Sequence, residues 1–178
     1  MTYPSTDLAR FKQILAPLRY GMLTTRALGG GLASRPLQSM QIDNDGSIWF
    51  FTSSESQKVR ELRENAEVNL CYADIHSKVF VSIIGNAELI VDPRKAGSLW
   101  ELTQTIFFPG GPDDPSLVLI RVVPHNVRTW DGNESALGVV LKLGKALVRG
   151  EASDLGESKD LCLQVEDENN VSQALLEK

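Results

Sequence analysis

An arginine, a helix start and a lysine are the features of this chain best suited to holding an anion. Arg35 sits in the stretch ASRPLQSM, and Phe51-Thr52-Ser53 ends an apolar run that passes directly into a helix opened by Ser53-Ser54 and carrying Lys58. Read as a strand entering a capped helix, that junction offers free backbone N–H groups with Lys58 one turn further in, an arrangement that holds phosphate. Arg35, from a neighbouring strand, can supply a second cation, because a guanidinium fork matches phosphate oxygens. Pro36 leaves its strand one donor short, which suits an edge or a place where a ligand takes a strand's position. Glu55, in the same first turn, works against an anion unless it points away. On spacing alone the serines also read as ordinary helix punctuation and Lys58 as a solvated helix residue.

The elements that must position these residues follow from the hydrophobic pattern. A helix is predicted from Ser5 or Thr6, with Leu8, Phe11, Ile14, Leu15 and Leu18 on one face and Pro17 ending it. Residues 20–26 read as a strand, Gly29-Gly30-Gly31 as a loose turn, and residues 32–42 as a second strand carrying Arg35. Asp43-Asn44-Asp45-Gly46 is a turn signal that makes residues 48–52 the returning arm of a hairpin. Ser54 with Gln57 fits a capping box, opening a helix that turns Val59 and Leu62 inward and ends near Asn65. Two apolar stretches follow, 68–73 and 79–91, with a bulge expected at Gly85. Asp92-Pro93 is a cap with proline at the first helical position, predicting a helix over 93–105. Three prolines and two glycines make 107–115 a loop, and strands are expected at 117–123 and 127–130. Residues 137–148 are apolar but ambiguous between strand and helix, and the end of the chain reads as a weak helix. Meandering strands with helices at the connections predict a small antiparallel barrel, mainly β with covering helices (α+β), and not a parallel α/β sheet.

Composition narrows the function classes. With 178 residues, 42% of them hydrophobic, the chain reads as one domain over 1–150 followed by an acidic tail over 151–178. The net charge of −5 comes without a basic stripe, which argues against a nucleic-acid partner. No apolar run reaches the length of a membrane span, and no signal-peptide pattern opens the chain, so a cytoplasmic location is the expectation. Cys71, inside an apolar run, reads as a buried core thiol, and it shares no CxxC spacing with Cys162. His76 and His125 lack a third ligand or a nucleophile partner, so neither a metal centre nor a hydrolytic triad is expected. Gly29-Gly30-Gly31 has no Gly-Lys-Ser/Thr after it and is not a P-loop. Trp49 and Trp100 read as core or interface residues.

Taken together, SRPLQSMQIDNDGSIWFFTSSESQKVRELRENAEVNLCY resembles the signature of the pyridoxamine 5′-phosphate oxidase-like flavoproteins, in particular their general stress protein branch. The positions that carry the resemblance are Arg35-Pro36-Leu37, Phe50-Phe51-Thr52, Ser56, Lys58, Leu62, Asn65 and Val68. It continues through Gly85-Asn86-Ala87-Glu88, the Pro-Gly-Gly-Pro-Asp-Asp-Pro loop, Val122 to Pro124 and Trp130-Asp131. The resemblance implies an antiparallel split β-barrel whose homodimer holds FMN between subunits. It implies that Arg35, Pro36 and Leu37 run beside the flavin ring and that Phe51, Thr52 and Ser53 border ring and ribityl chain. Ser56 and Lys58 would approach the phosphate, and Trp130 would close the pocket from the other subunit. The oxidases proper carry Arg-Lys where this chain has Gln57-Lys58, a lysine near Met40, a glutamine near Phe80 and an arginine-rich C-terminal segment, all missing here. Vitamin B6 oxidation is therefore not expected, and FAD remains open beside FMN. The implied function is flavin binding by a general stress protein. The alternative is an FMN-dependent oxidoreductase passing electrons from NAD(P)H to a small acceptor, and a third reading is a barrel binding another planar ligand, a tetrapyrrole or deazaflavin.

Overall fold

The computed structural model describes residues 5–131 and 159–161, with side chains over 8–130. The element order is α1 (Ser5–Leu15), β1 (Tyr20–Arg26), β2 (Leu32–Gln38), β3 (Gln41–Ile42), β4 (Ile48–Ser53), α2 (Gln57–Glu64), β5 (Glu67–Asp74), β6 (Val79–Ile90), α3 (Pro93–Leu99), β7 (Leu117–Asp131) and β8 (Lys159–Leu161). All pairings are antiparallel, in the order β2-β1-β5-β6-β7-β4-β3, with β8 added alongside β7. This is the expected split barrel, an antiparallel sheet curled around one apolar interior. Among the described residues no helix is long and apolar enough to cross a membrane.

Alternation decides what each strand turns inward. Leu23, Phe50, Leu70, Ile83 and Ile120 are completely buried, and α1 adds Phe11 and Leu15 to the same cluster, followed by Leu18 just after the helix. A second cluster lies on the other face of β4, where Trp49 and Phe51 meet Leu99, Phe108 and Leu119. Trp49 is thus a core residue and Trp100 is half-buried against Phe51, their ring centroids 5.7 Å apart.

Several expectations change. The predicted strand over 32–42 breaks at Ser39 and Met40, where the Ser39 N–H bonds to Arg19 and the Met40 N–H to Trp49. The chain changes partner there: β2 pairs with β1, and only β3 forms the hairpin with β4. Arg35 therefore lies opposite Leu23 and not on the hairpin arm. The turn itself is as read, closed by the Asp43 N–H on Ser47 O at 2.9 Å with Gly46 at φ +83°. Helix α2 begins at Gln57 with Ser56 as its N-cap, so no Ser54–Gln57 capping box forms. The Ser54 N–H is used by Ser116 O instead. Helix α3 stops at Leu99, six residues before the expected 105, because Trp100 turns extended to reach the second cluster, and a 3₁₀ turn covers Leu102–Ile106. The two strands expected over 117–130 are one, running through Pro124. Pro124 sits opposite Gly85 at the bulge foreseen there, where a Cβ would fall 2.4 Å from Val123 O. Cys71 is not a core thiol: it is half-buried on the outward face, its Sγ 2.8 Å from Asn69 Oδ1. The segment 137–148 and the terminal helix lie outside the described residues, as does Cys162.

Candidate functional site

The site forms where β4 runs into α2, because strand alternation sends Thr52 to the face opposite Phe51. Thr52 is buried, and its Oγ1 lies 3.1 Å from Ser56 Oγ and accepts from Lys58 Nζ at 3.1 Å. Ser56 has extended geometry but makes no side-chain hydrogen bond to the helix, and the first turn holds no acidic residue. Glu55 precedes the helix and is exposed, its N–H on Ser53 Oγ, so the conflict anticipated at the first turn does not arise. The start of α2 thus keeps its N-terminal donors without a side-chain cap, next to an ammonium. Lys58 is half-buried, and its pKa is pushed down by that burial and by the Arg35 charge, with Glu61 pulling it back up.

Arg35 reaches this region by a route the sequence did not disclose. It projects inward from β2 and donates to Glu61 Oε2 at 2.7 Å and to the Thr25 hydroxyl. Glu61 is 0% exposed and also accepts from Thr25 Oγ1 at 2.6 Å and from Gln57 Nε2 at 2.8 Å. Burial opposes its ionisation, but these donors outweigh it and hold the carboxyl below the usual glutamate value. Sequence reasoning missed Glu61 because a glutamate on a polar helix is by default solvated. Its position beside the inward-facing Leu62 was the one available signal.

The other expected residues divide. Thr52, Ser56 and Lys58 come together, and Arg35 is tied to the same helix through Glu61, near enough for its charge to act on Lys58. Leu37 shares the inward face of β2 with Arg35, whereas Pro36 is exposed on the opposite face and Ser53 closes β4 half-buried. Phe51 is packed into the second cluster, its ring centroid 6.4 Å from that of Phe108. Trp130 stands apart: Thr52 pairs with Val118, next to the start of the 15-residue strand β7, whereas Trp130 is next to its end, opposite Phe80. Outward on β1 and β6, Met22, Phe80 and Ile84 leave 43%, 42% and 43% of their surface exposed. Among the described residues there is no group of three His, Cys, Asp or Glu side chains able to hold a metal.

A half-buried ammonium, neighbouring hydroxyls and an uncapped helix start fit a phosphate group. Comparison with known proteins shows what the chain is similar to. A general stress FMN/FAD binding protein from Xanthomonas citri is 30% identical, over 73% of this chain and 90% of that one, with a TM-score of 0.61. A general stress family protein from Xanthomonas campestris pv. campestris is 29% identical, over 76% and 93%, with a TM-score of 0.62. Protein bli-3 of Neurospora crassa is 22% identical over 169 residues, covering 89% of this chain and 79% of that protein. The family model described as pyridoxamine 5′-phosphate oxidase like matches residues 6–154. Because that match spans most of its length, this chain belongs to the pyridoxamine 5′-phosphate oxidase-like family.

Proposed function

We propose that this protein is a general stress protein that binds a flavin nucleotide, FMN in preference to FAD, at the interface of a cytoplasmic homodimer. The observation that carries the reading is the junction of β4 and α2, where Lys58, Thr52 and Ser56 surround a helix start that no side chain caps. Lys58, Ser56 and the α2 N–H groups would take the phosphate, with Arg35 behind them. Leu37, Thr52 and Ser53, with backbone atoms of Pro36 and Phe51, would border ring and ribityl chain. Bound flavin would supply the redox chemistry of its ring, and the protein's part is orientation and electrostatics.

Two observations favour a dimer. Trp130 lies at the other end of β7 from the strand partner of Thr52, so the Trp130 that closes the pocket in this reading would be supplied by a second copy. The exposed Met22, Phe80 and Ile84 give one sheet face an apolar surface of the kind partners cover. Binding is favoured over turnover by the likeness to general stress proteins, one of which is described as FMN/FAD binding.

Titration of the flavin-free protein with FMN, FAD and riboflavin tests the proposal. FMN should bind most tightly and riboflavin much more weakly; equal affinity for FMN and riboflavin would remove the phosphate site, and no binding of any would remove the function. NADPH oxidation with an added acceptor should run no faster than with free FMN. A clear excess would favour the oxidoreductase instead.

A further inference from the structure

We infer that Glu61 is a positioning residue of the phosphate site, its buried carboxylate keeping Arg35 and Lys58 side by side before any anion arrives. The inference rests on the flavin reading above and adds a residue to it. Glu61 is the one charged side chain in the buried set of described residues. A carboxylate at a helix–strand seam is costly to desolvate, and an apolar side chain would fill the seam more cheaply. Here three elements supply donors to it: Thr25 from β1 at 2.6 Å, Arg35 from β2 at 2.7 Å, and Gln57 from α2 itself at 2.8 Å. No polar side-chain atom of the described interior is left unsatisfied. That completeness fixes Arg35, which uses two of its five N–H donors on Thr25 and Glu61 and keeps the rest.

The same carboxylate acts on Lys58, three residues earlier on the helix. Among the described residues, the charged groups acting on Lys58 are Arg35 of β2 and Glu61 of α2, while β4 presents the neutral Thr52 hydroxyl. Two half-buried cations repel each other, and each would be driven out or, for the lysine, neutralised. Glu61 opposes both outcomes. It anchors the guanidinium and favours the protonated amine, so the site is preorganised for a doubly charged phosphate.

The test compares FMN with riboflavin, which lacks the phosphate, by calorimetric titration of the full chain from mildly acidic to alkaline pH. Glu61→Gln keeps the shape and removes the charge. It should lower FMN affinity about tenfold, the scale of one charge-assisted hydrogen bond, and leave riboflavin affinity within about twofold. FMN affinity of the wild type should fall as Lys58 loses its proton, and in Glu61→Gln that fall should come at lower pH. Glu61→Asp, which restores the charge, should recover part of both effects. An equal loss for the two ligands, or FMN binding with an unmoved alkaline limb, would overturn the inference while the flavin reading survived. A wild-type chain that bound neither ligand would sink that reading and this one with it. Should Glu61→Gln not fold, Thr25→Val removes one donor from the same carboxylate. It should lower the ratio of FMN to riboflavin affinity in the same direction by a smaller factor, and an unchanged ratio would overturn the inference.

Discussion

Helices α2 and α3 begin in opposite ways. At α3, Asp92 Oδ1 accepts from the N–H groups of Arg94 at 2.9 Å and Lys95 at 3.1 Å, and Pro93 occupies the first position, where no N–H is needed. At α2, Ser56 turns its hydroxyl to Thr52 and gives the helix no side-chain cap, with Lys58 half-buried beside that start. Both starts follow the same local grammar of a small polar residue before a helix. One satisfies itself and is punctuation. The other is left incomplete at a point where two cations converge, and that incompleteness is what a ligand can fill.

Breaking the support behind α2 should have the largest effect. Arg35→Ala strands the buried Glu61 carboxylate and should lower unfolding stability by about 3–5 kcal/mol in urea denaturation; a loss under about 1 kcal/mol would mean that Glu61 protonates at little cost. Its effect on FMN affinity therefore cannot be read without that control. The pH dependence of stability follows the same group. Because the folded carboxyl lies below its ordinary value, its contribution is complete at neutral pH and is lost as the pH falls from that ordinary value through the lower folded one. In Glu61→Gln the acid limb of the stability curve should flatten.

Lys58→Ala comes next. It should weaken FMN by about 1–3 kcal/mol, leave riboflavin unchanged and alter stability little, since the amine is half-buried with one hydroxyl partner. Asp92→Ala, the matched change at α3, should cost about 1 kcal/mol of stability with no change in flavin affinity. Loss of FMN binding in that variant would erase the contrast between the two starts. The smallest effect is expected from Ser56→Asp, which gives α2 the cap it lacks. It should stabilise the flavin-free protein by about 0.5 kcal/mol and weaken FMN, because the new carboxylate would occupy the donors proposed for the phosphate.

The turn at Asp43–Gly46, the Asp92 cap, the Gly85 bulge and the ends of β1 were legible because each depends on neighbouring residues and short-range sterics. Lys58 at a helix start was legible for the same reason, while Thr52 and Ser56 beside it entered through the family signature. Misreadings arose wherever the chain changed partner. Nothing local to Ser39 and Met40 says that β2 leaves β1 and β3 joins β4, and nothing around Trp100 says that it must leave its helix to pack on Phe51.

The amino-acid sequence by itself determined the order of the elements, the lysine and hydroxyls at the mouth of α2, and the family signature. Tertiary structure decided which charge Arg35 meets. Local pattern carries no information about residues 26 positions apart, and it took the curl of the sheet, with α2 packed against β1, to bring Arg35 and Thr25 onto one buried carboxylate. Pairing across the fold is settled by which surfaces bury together, and that is a property of the whole chain.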